Sequence, residues 1–439
     1  MTLSRRRIVA GLGALGAAAL PRIATPHPAM AHPGPAVELS VPPEGTPERL
    51  AGDETFWRAV ARQFHVSPDF VNLENGYYGI MPEPVRRAYH DNVDHLNERN
   101  SHLLRTAYRA RADEIRDRIA GLLGATRNEI ALTRGGTEAL QNLISGYRRL
   151  RPGDVIMYAD LDYHSGQYAM NWLQERRGVR VERIVIPEPA TRQAVLDTYE
   201  RALSRTPQAR LLLLSHLNNR TGLVMPVREI VTMARERGVD VIVDAAHSWG
   251  QLDFTLADLD ADFTVFSLHK WMGVPLGAGF LHIRADRLAD IDLLYADATF
   301  PATDIRSRVH SGTMNVAPIL TVDAALGFHE TLGAQVKQAR LRLLRERWVR
   351  QARELGAQIL TPDEPDMYGA ITAFRLPGRT SEADNLAITD ELLTRHRIFT
   401  VARTGMSGGD AVRVTPALYT SLDDMDRLAA ALRDISAGR

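Results

Sequence analysis

Apolar and polar positions along this chain fall into blocks of two kinds that take turns. From about Glu129 onward, short apolar runs are separated by longer stretches with helical spacing. The runs cover residues 129–133, 154–158, 181–186, 210–215, 239–244, 263–267 and 278–283. Short apolar runs of this kind predict buried strands. Residues 137–147, 192–203 and 227–237 carry apolar positions on one helical face. Strands alternating with amphipathic helices predict an α/β fold, with a mainly parallel central sheet covered by helices on both faces.

The pattern changes after about Ala317. A long helical stretch, residues 322–355, leads into short strands at 370–375 and 413–415. These predict a smaller C-terminal α+β domain. The expected organisation is a leader at 1–31, an N-terminal linker and arm at 32–85, a large α/β domain at 86–320 and a small domain at 321–439.

The leader reading rests on Ser4-Arg5-Arg6-Arg7, an apolar Gly/Ala-rich stretch at 8–20, and Ala29-Met30-Ala31. Paired arginines, a short apolar segment and an A-x-A site predict a twin-arginine signal peptide. The expected partner is the twin-arginine export machinery, and the expected address is periplasmic or secreted. The apolar stretch falls short of the roughly 20 residues that span a bilayer, so no stable membrane anchor is expected. Gly11-Leu12-Gly13-Ala14-Leu15-Gly16 matches a dinucleotide fingerprint. It follows no strand and lies in the leader, so it is not read as a nucleotide site.

Composition narrows the chemistry. Basic and acidic residues balance, 53 against 53, which removes any bulk electrostatic case for nucleic acid. The chain has no cysteine. Disulfides, thiolate-bound metals and cysteine nucleophiles are therefore excluded. His247 and His269 lack metal-ligand spacing, and no metal is expected.

In open α/β sheets, ligands sit beyond the carboxyl ends of the strands. There the chain carries Gly135-Gly136-Thr137-Glu138, whose backbone N–H groups open a helix and suit a phosphate; Thr137 would also serve as an ordinary helix cap. Tyr163 and His164 follow the second run, and either ring could stack on a planar group. Asn219 lies in a segment, residues 215–222, that follows the fourth run. Asp244 ends a very apolar strand, where a carboxylate needs a cation, an arginine or a helix N-terminus. Ser267-Leu268-His269-Lys270 ends the next one. A lysine amine at an apolar strand end has a depressed pKa, as a Schiff-base lysine requires. A strand ending in Asp followed by one ending in His-Lys is the pair that pyridoxal phosphate needs, for its ring nitrogen and its aldehyde.

These motifs, in this order, resemble the class V aminotransferases. These are fold-type I pyridoxal phosphate enzymes, and they include isopenicillin N epimerase and the cysteine desulfurases. The resemblance runs from about Phe70 to about Leu432. It implies pyridoxal 5'-phosphate as cofactor, Lys270 as the Schiff-base and catalytic lysine, and Asp244 as the partner of the ring nitrogen. It implies Gly136, Thr137, Ser267 and His269 at the phosphate. Tyr163, or His164, would stack on the ring, with Asn219 and His247 near the ring hydroxyl. Gly312 and Thr313 would reach the phosphate of a neighbouring subunit in a homodimer. Arg413 would grip the substrate carboxylate, and the loop carrying Asn75 and Tyr77 would enter the pocket.

The expected activity is chemistry at Cα, such as transamination or epimerisation. The expected substrate is an amino acid or an amino-acid group of a peptide-like metabolite. Exported members of the family are associated with peptide siderophore tailoring, which adds that substrate class. Without cysteine, desulfuration through a persulfide is not expected; a lyase working by C–S or other elimination is the alternative. A non-catalytic binding protein on the same fold is the reading from another class. The joint presence of Asp244, Lys270 and Arg413 speaks against it.

Overall fold

The computed structural model describes residues 42–438. The leader expected at 1–31, with its glycine pattern, lies outside the described residues.

Seven strands form the central sheet: β2 (Ile130–Thr133), β3 (Val155–Ala159), β4 (Arg180–Ile184), β5 (Ala209–Ser215), β6 (Asp240–Asp244), β7 (Phe263–Ser267) and β8 (Gly279–Ile283). A shorter strand, β1 (Val71–Asn72), precedes them. Their order is β2-β8-β7-β6-β5-β3-β4. Strands β3 to β7 run parallel, while β8 lies antiparallel between β7 and β2. The reversal has a local cause. Residues 268–278 contain no helix, and a parallel return needs a crossover of a dozen residues or more. The tight return carries Lys270.

Both faces of the sheet are covered. Leu212 and Leu214 of β5 join one core with Val195, Tyr199 and Ile230. Their neighbours Leu211 and Leu213 join another core with Leu140, Leu143 and Met170. Successive strand residues point to opposite faces, so these strands are buried on both sides and read as unbroken apolar runs. A third core stacks Phe266 on Phe280, with ring centroids 4.4 Å apart, under Ile319, Val322 and Leu326.

The helical stretch expected over 322–355 is two helices, Ala317–Leu332 and Ala334–Glu354. Gly333 breaks it at φ 80°, a conformation that glycine adopts without strain. The first helix packs on the large sheet and the second on a smaller one. That smaller sheet has the antiparallel order β12-β13-β10-β9, built from β9 (Gln358–Ile359), β10 (Thr372–Arg375), β12 (Val401–Arg403) and β13 (Ala411–Val414). Strand β11 (Ile398–Phe399) instead pairs in parallel with β1.

The N-terminal arm is folded. Helices Pro47–Ala51 and Glu54–Ala61 are capped by the side chains of Thr46 and Asp53. Arg340, from the helix Ala334–Glu354, donates to the Ala51 carbonyl at 3.0 Å and lies over Trp57. Leu73 of the arm joins Trp348, Phe374, Val412 and Met425 in the core of the small sheet. The two sheets meet where the loop after β5 leans on β10. A Cβ at Gly222 would overlap the Ile371 carbonyl oxygen, so this approach requires glycine. No helix among the described residues is long and apolar enough to cross a membrane.

Trp348 is fully buried and packs edge-on to Phe374, with centroids 5.7 Å apart. Trp348→Ala is expected to lower stability by about 3–5 kcal/mol, because the cavity cannot collapse fully. Chemical denaturation of the two proteins measures the difference.

Candidate active site

The carboxyl ends of β3, β5, β6 and β7 converge, and one buried carboxylate fixes two of them. Asp162 accepts from the Ala159 N–H at 2.7 Å and from the Ser215 N–H at 2.8 Å. This ties the end of β3 to the end of β5. Burial pushes Asp162 up to about 7.

Gly136, Thr137, Tyr163, Asn219, Asp244, His247, Ser267 and Lys270 line one inner cavity. Its upper end is the N-terminus of the helix Gly136–Gly146. The Gly136 N–H donates to Ser267 Oγ at 3.2 Å. A Cβ on Gly136 would sit 2.5 Å from that oxygen, so only glycine leaves this corner open. His269 stands beside Gly135, and its Nδ1 lies 3.2 Å from the Ala278 carbonyl. A carbonyl only accepts, so Nδ1 carries the proton. Burial, followed by the charge of Lys270, lowers His269 to about 4. Free N–H groups at a positive helix end, a hydroxyl and a histidine form a cradle that suits a phosphate.

Lys270 stands at the floor. Burial lowers its amine to about 8, against the opposing pull of Asp244. Asp244 is buried and accepts from the Ala246 N–H at 2.9 Å. Burial raises its pKa, while Lys270 and that N–H hold it down. A buried carboxylate with an open approach fits a protonated ring nitrogen.

His247 links Lys270 to Trp271. Lys270 Nζ lies 2.9 Å from His247 Nε2, and the Trp271 indole N–H donates to His247 Nδ1 at 3.3 Å. An indole N–H can only donate, so Nδ1 is the bare nitrogen and Nε2 carries the proton. Burial, followed by Lys270, keeps the ring neutral by lowering its pKa far below the ordinary value. His247 therefore presents an N–H donor that the lysine amine can accept in its neutral form. The sequence left that proton state open, and Trp271 decides it.

A wider pocket opens above, lined by Tyr77, Tyr163, His164, Asn219, Lys270, Arg403 and Arg413 among others. Tyr163 lines both the inner cavity and this mouth; His164 lines the mouth alone and is exposed. Burial and the charges of Arg220 and Arg403 lower the pKa of His164. Arg413 is fully buried. It donates to the Asn219 carbonyl at 2.6 Å and to both carboxylate oxygens of Glu74, with Oε2 at 2.7 Å. Asn75 turns away from this mouth: its amide donates to the Thr415 carbonyl at 2.8 Å and accepts from the Tyr419 hydroxyl at 2.5 Å. Tyr77 is 73 % exposed at the rim. Gly312 and Thr313 line a different cavity, with Tyr108, Phe300 and Arg306, apart from Lys270 of their own chain.

Sequence reasoning missed Trp271, Glu74, Arg403 and Asp162. Glu74 and Trp271 adjoin residues that were singled out, but no spacing rule marks them. Among the described residues no group of His and carboxylates is arranged to hold a metal.

Isopenicillin N epimerase of Amycolatopsis lactamdurans is 31 % identical over 414 residues, which cover 87 % of this chain and 99 % of that protein. A probable cysteine desulfurase of Methanothermobacter thermautotrophicus is 29 % identical, over 71 % of this chain and 77 % of that one. Two structures of C-DES share the fold. One has glycine covalently linked to its PLP cofactor, with a TM-score of 0.74, 22 % identity, and coverage of 85 % of this chain and 98 % of that chain. The other holds this cystine C–S lyase with its product cysteine persulfide, with a TM-score of 0.72, 24 % identity, and coverage of 83 % and 97 %. The family model described as aminotransferase class V matches residues 82–428, and the chain belongs to that family of pyridoxal phosphate enzymes.

Proposed function

We propose that this enzyme carries out Cα chemistry, transamination or epimerisation, on an amino acid or an amino-acid group of a peptide-like metabolite. The observation that carries this reading is the Lys270 amine between Asp244 and the His247 N–H, under a wall of guanidinium groups.

The residues divide into tasks. Gly136, Thr137, Ser267 and His269 would hold the phosphate of the cofactor, and Asp244 its ring nitrogen. Tyr163 would cover the ring, and the His247 N–H would meet the ring oxygen. Bound pyridoxal phosphate supplies an electron sink that makes the Cα proton of an amino acid acidic. Lys270 is the base placed to take or return that proton. Arg413 orients the substrate through its carboxylate, since a guanidinium fork matches that group.

A second reading is a lyase that eliminates a group from the substrate. The absence of cysteine favours it over desulfuration, because no thiol of the chain can hold a persulfide. A persulfide released as a free product needs no such thiol, and cysteine persulfide is the reaction product that C-DES holds. What the missing cysteine excludes is therefore only a persulfide carried on the enzyme.

Three further points belong to the same proposal. Gly312 and Thr313 lie in a cavity apart from Lys270, which supports a homodimer in which they serve the neighbouring site. The Arg5-Arg6 pair and Ala29-Met30-Ala31 support export by the twin-arginine route to the periplasm or beyond. The export reading makes peptide-like metabolites met outside the cytoplasm, peptide siderophores among them, the first to test.

Incubation with amino acids and short peptides in D2O tests the central reading. Deuterium should appear at Cα of the true substrate, with inversion for an epimerase or keto acid formation for an aminotransferase. Lys270→Ala should lower the exchange by roughly 100-fold to 10,000-fold, the range of a lost general base. No exchange with any amine substrate would contradict the reading. Capture of cofactor by the stripped protein has its own pH dependence. Only the neutral amine is nucleophilic, so the rate should rise as pH passes through about 8 and level off above. A rate that is flat across this range would show that Lys270 is not the titrating group.

Export is tested separately. Replacing both Arg5 and Arg6 with Lys should hold folded precursor in the cytoplasm. Unchanged delivery would remove the twin-arginine assignment.

A further inference from the structure

The wall above Lys270 holds two guanidinium groups and one carboxylate. Arg413 of β13 pairs across the ladder with Val401, and Arg403 lies two residues further along β12. Cross-strand partners and i, i+2 neighbours share a face, so both arginines project from the same side of the small sheet. Glu74 stands between them. Both of its oxygens accept from Arg413 Nη2, and Oε1 lies 3.5 Å from Arg403 Nη2. Arg413 Nη1 is held by the Asn219 carbonyl. An incoming carboxylate therefore meets an Arg413 whose Nη2 is fully taken by Glu74; only one Nη1 N–H and the buried Nε remain without a partner.

Arg403 is in the opposite condition. Its side chain is 29 % exposed to the pocket and its Nη groups make no hydrogen bond shorter than the 3.5 Å contact to Glu74, while its Nε, like that of Arg413, is buried without a partner. Its contact with Glu74 is longer than that of Arg413. Burial and the neighbouring Arg413 lower its pKa to about 10, the signature of a cation short of a counter-ion. The wall is neutral only when one more carboxylate joins it.

We propose that Glu74 stands in for the substrate carboxylate on Arg413 and transfers to Arg403 when the substrate arrives. The inference rests on the reading that Arg413 receives a substrate carboxylate, and it adds how that site is kept closed and then opened. Glu74 reaches Arg403, already within ion-pair range, by a side-chain rotation that also loosens its contacts with the Tyr77 N–H at 3.1 Å and the Thr415 hydroxyl at 3.5 Å. After the exchange each guanidinium has its own carboxylate and no buried charge is left unpaired. The substrate class follows from the count: one carboxylate per substrate on this wall, with a second one not accommodated. Arg403 acts as a positioning residue through Glu74.

A double-mutant cycle on the holoenzyme tests this, with propionate as an unreactive monocarboxylate and its affinity read by calorimetry. Glu74→Gln removes the internal competitor and should tighten propionate binding about 10-fold, while Arg403→Met, which leaves Glu74 nowhere to go, should weaken it about 10-fold. In the Glu74→Gln background the Arg403 substitution should change affinity by less than about 2-fold, because the exchange no longer occurs. Arg403→Lys should recover part of the loss in the Glu74 protein. Equal losses from Arg403→Met in both backgrounds would mean that Arg403 touches the ligand itself and would overturn the proposal. Weaker or unchanged binding in Glu74→Gln would overturn it too, without requiring the second variant to fold. If Arg413→Met leaves propionate affinity unchanged, the carboxylate reading of the pocket fails instead, and the two failures are told apart.

Discussion

An amine held away from water at the end of a parallel strand is what the pocket is built around. Charged lysine is costly to bury, and here burial outweighs the attraction of Asp244, so the amine of Lys270 falls to about 8. The short return between β7 and β8 puts that lysine on the pocket floor. The same return forces β8 antiparallel and stacks Phe280 on Phe266 behind it. Reactivity and the strand reversal thus come from the same stretch of backbone.

Around that amine the polar groups are arranged by what they can and cannot donate. Trp271 can only donate, so it sets the proton on the far nitrogen of His247. The Ala278 carbonyl can only accept, so it sets the proton of His269. Asp162 gathers N–H groups from two strand ends and keeps the rim of the sheet together. On the other wall the small sheet supplies cations in excess of anions, and Glu74 is shared between them. The site is pre-formed by these internal contacts, which is what orienting a reactive group demands.

Much of this was legible in the sequence, for identifiable reasons. Strands buried on both faces appear as plain apolar runs, and the run at 263–267 matches β7 residue for residue. The polar residues that close such runs, Asp244 and Ser267, were therefore visible as site residues. Gly333 was less visible, because one glycine inside a helical pattern is often tolerated. The folded arm escaped notice because its helices are short and gain their burial from Phe328, Leu332 and Arg340, which lie far along the chain. Trp271, Glu74 and Arg403 escaped for a related reason: their roles lie in contacts between segments distant in sequence, and no local periodicity records such contacts. Asn75 shows the converse. The family resemblance of its loop implied a pocket role, while its amide fastens that loop to Thr415 and Tyr419.

The most direct test of the account is the covalent address of the cofactor. Borohydride treatment of cofactor-replete protein, followed by peptide mass mapping, should put a single phosphopyridoxyl group on Lys270 and bleach the visible absorbance with it. A label on any other lysine, such as the buried Lys337, or no label in protein that retains the cofactor, would contradict the placement of the reactive amine on which the rest depends.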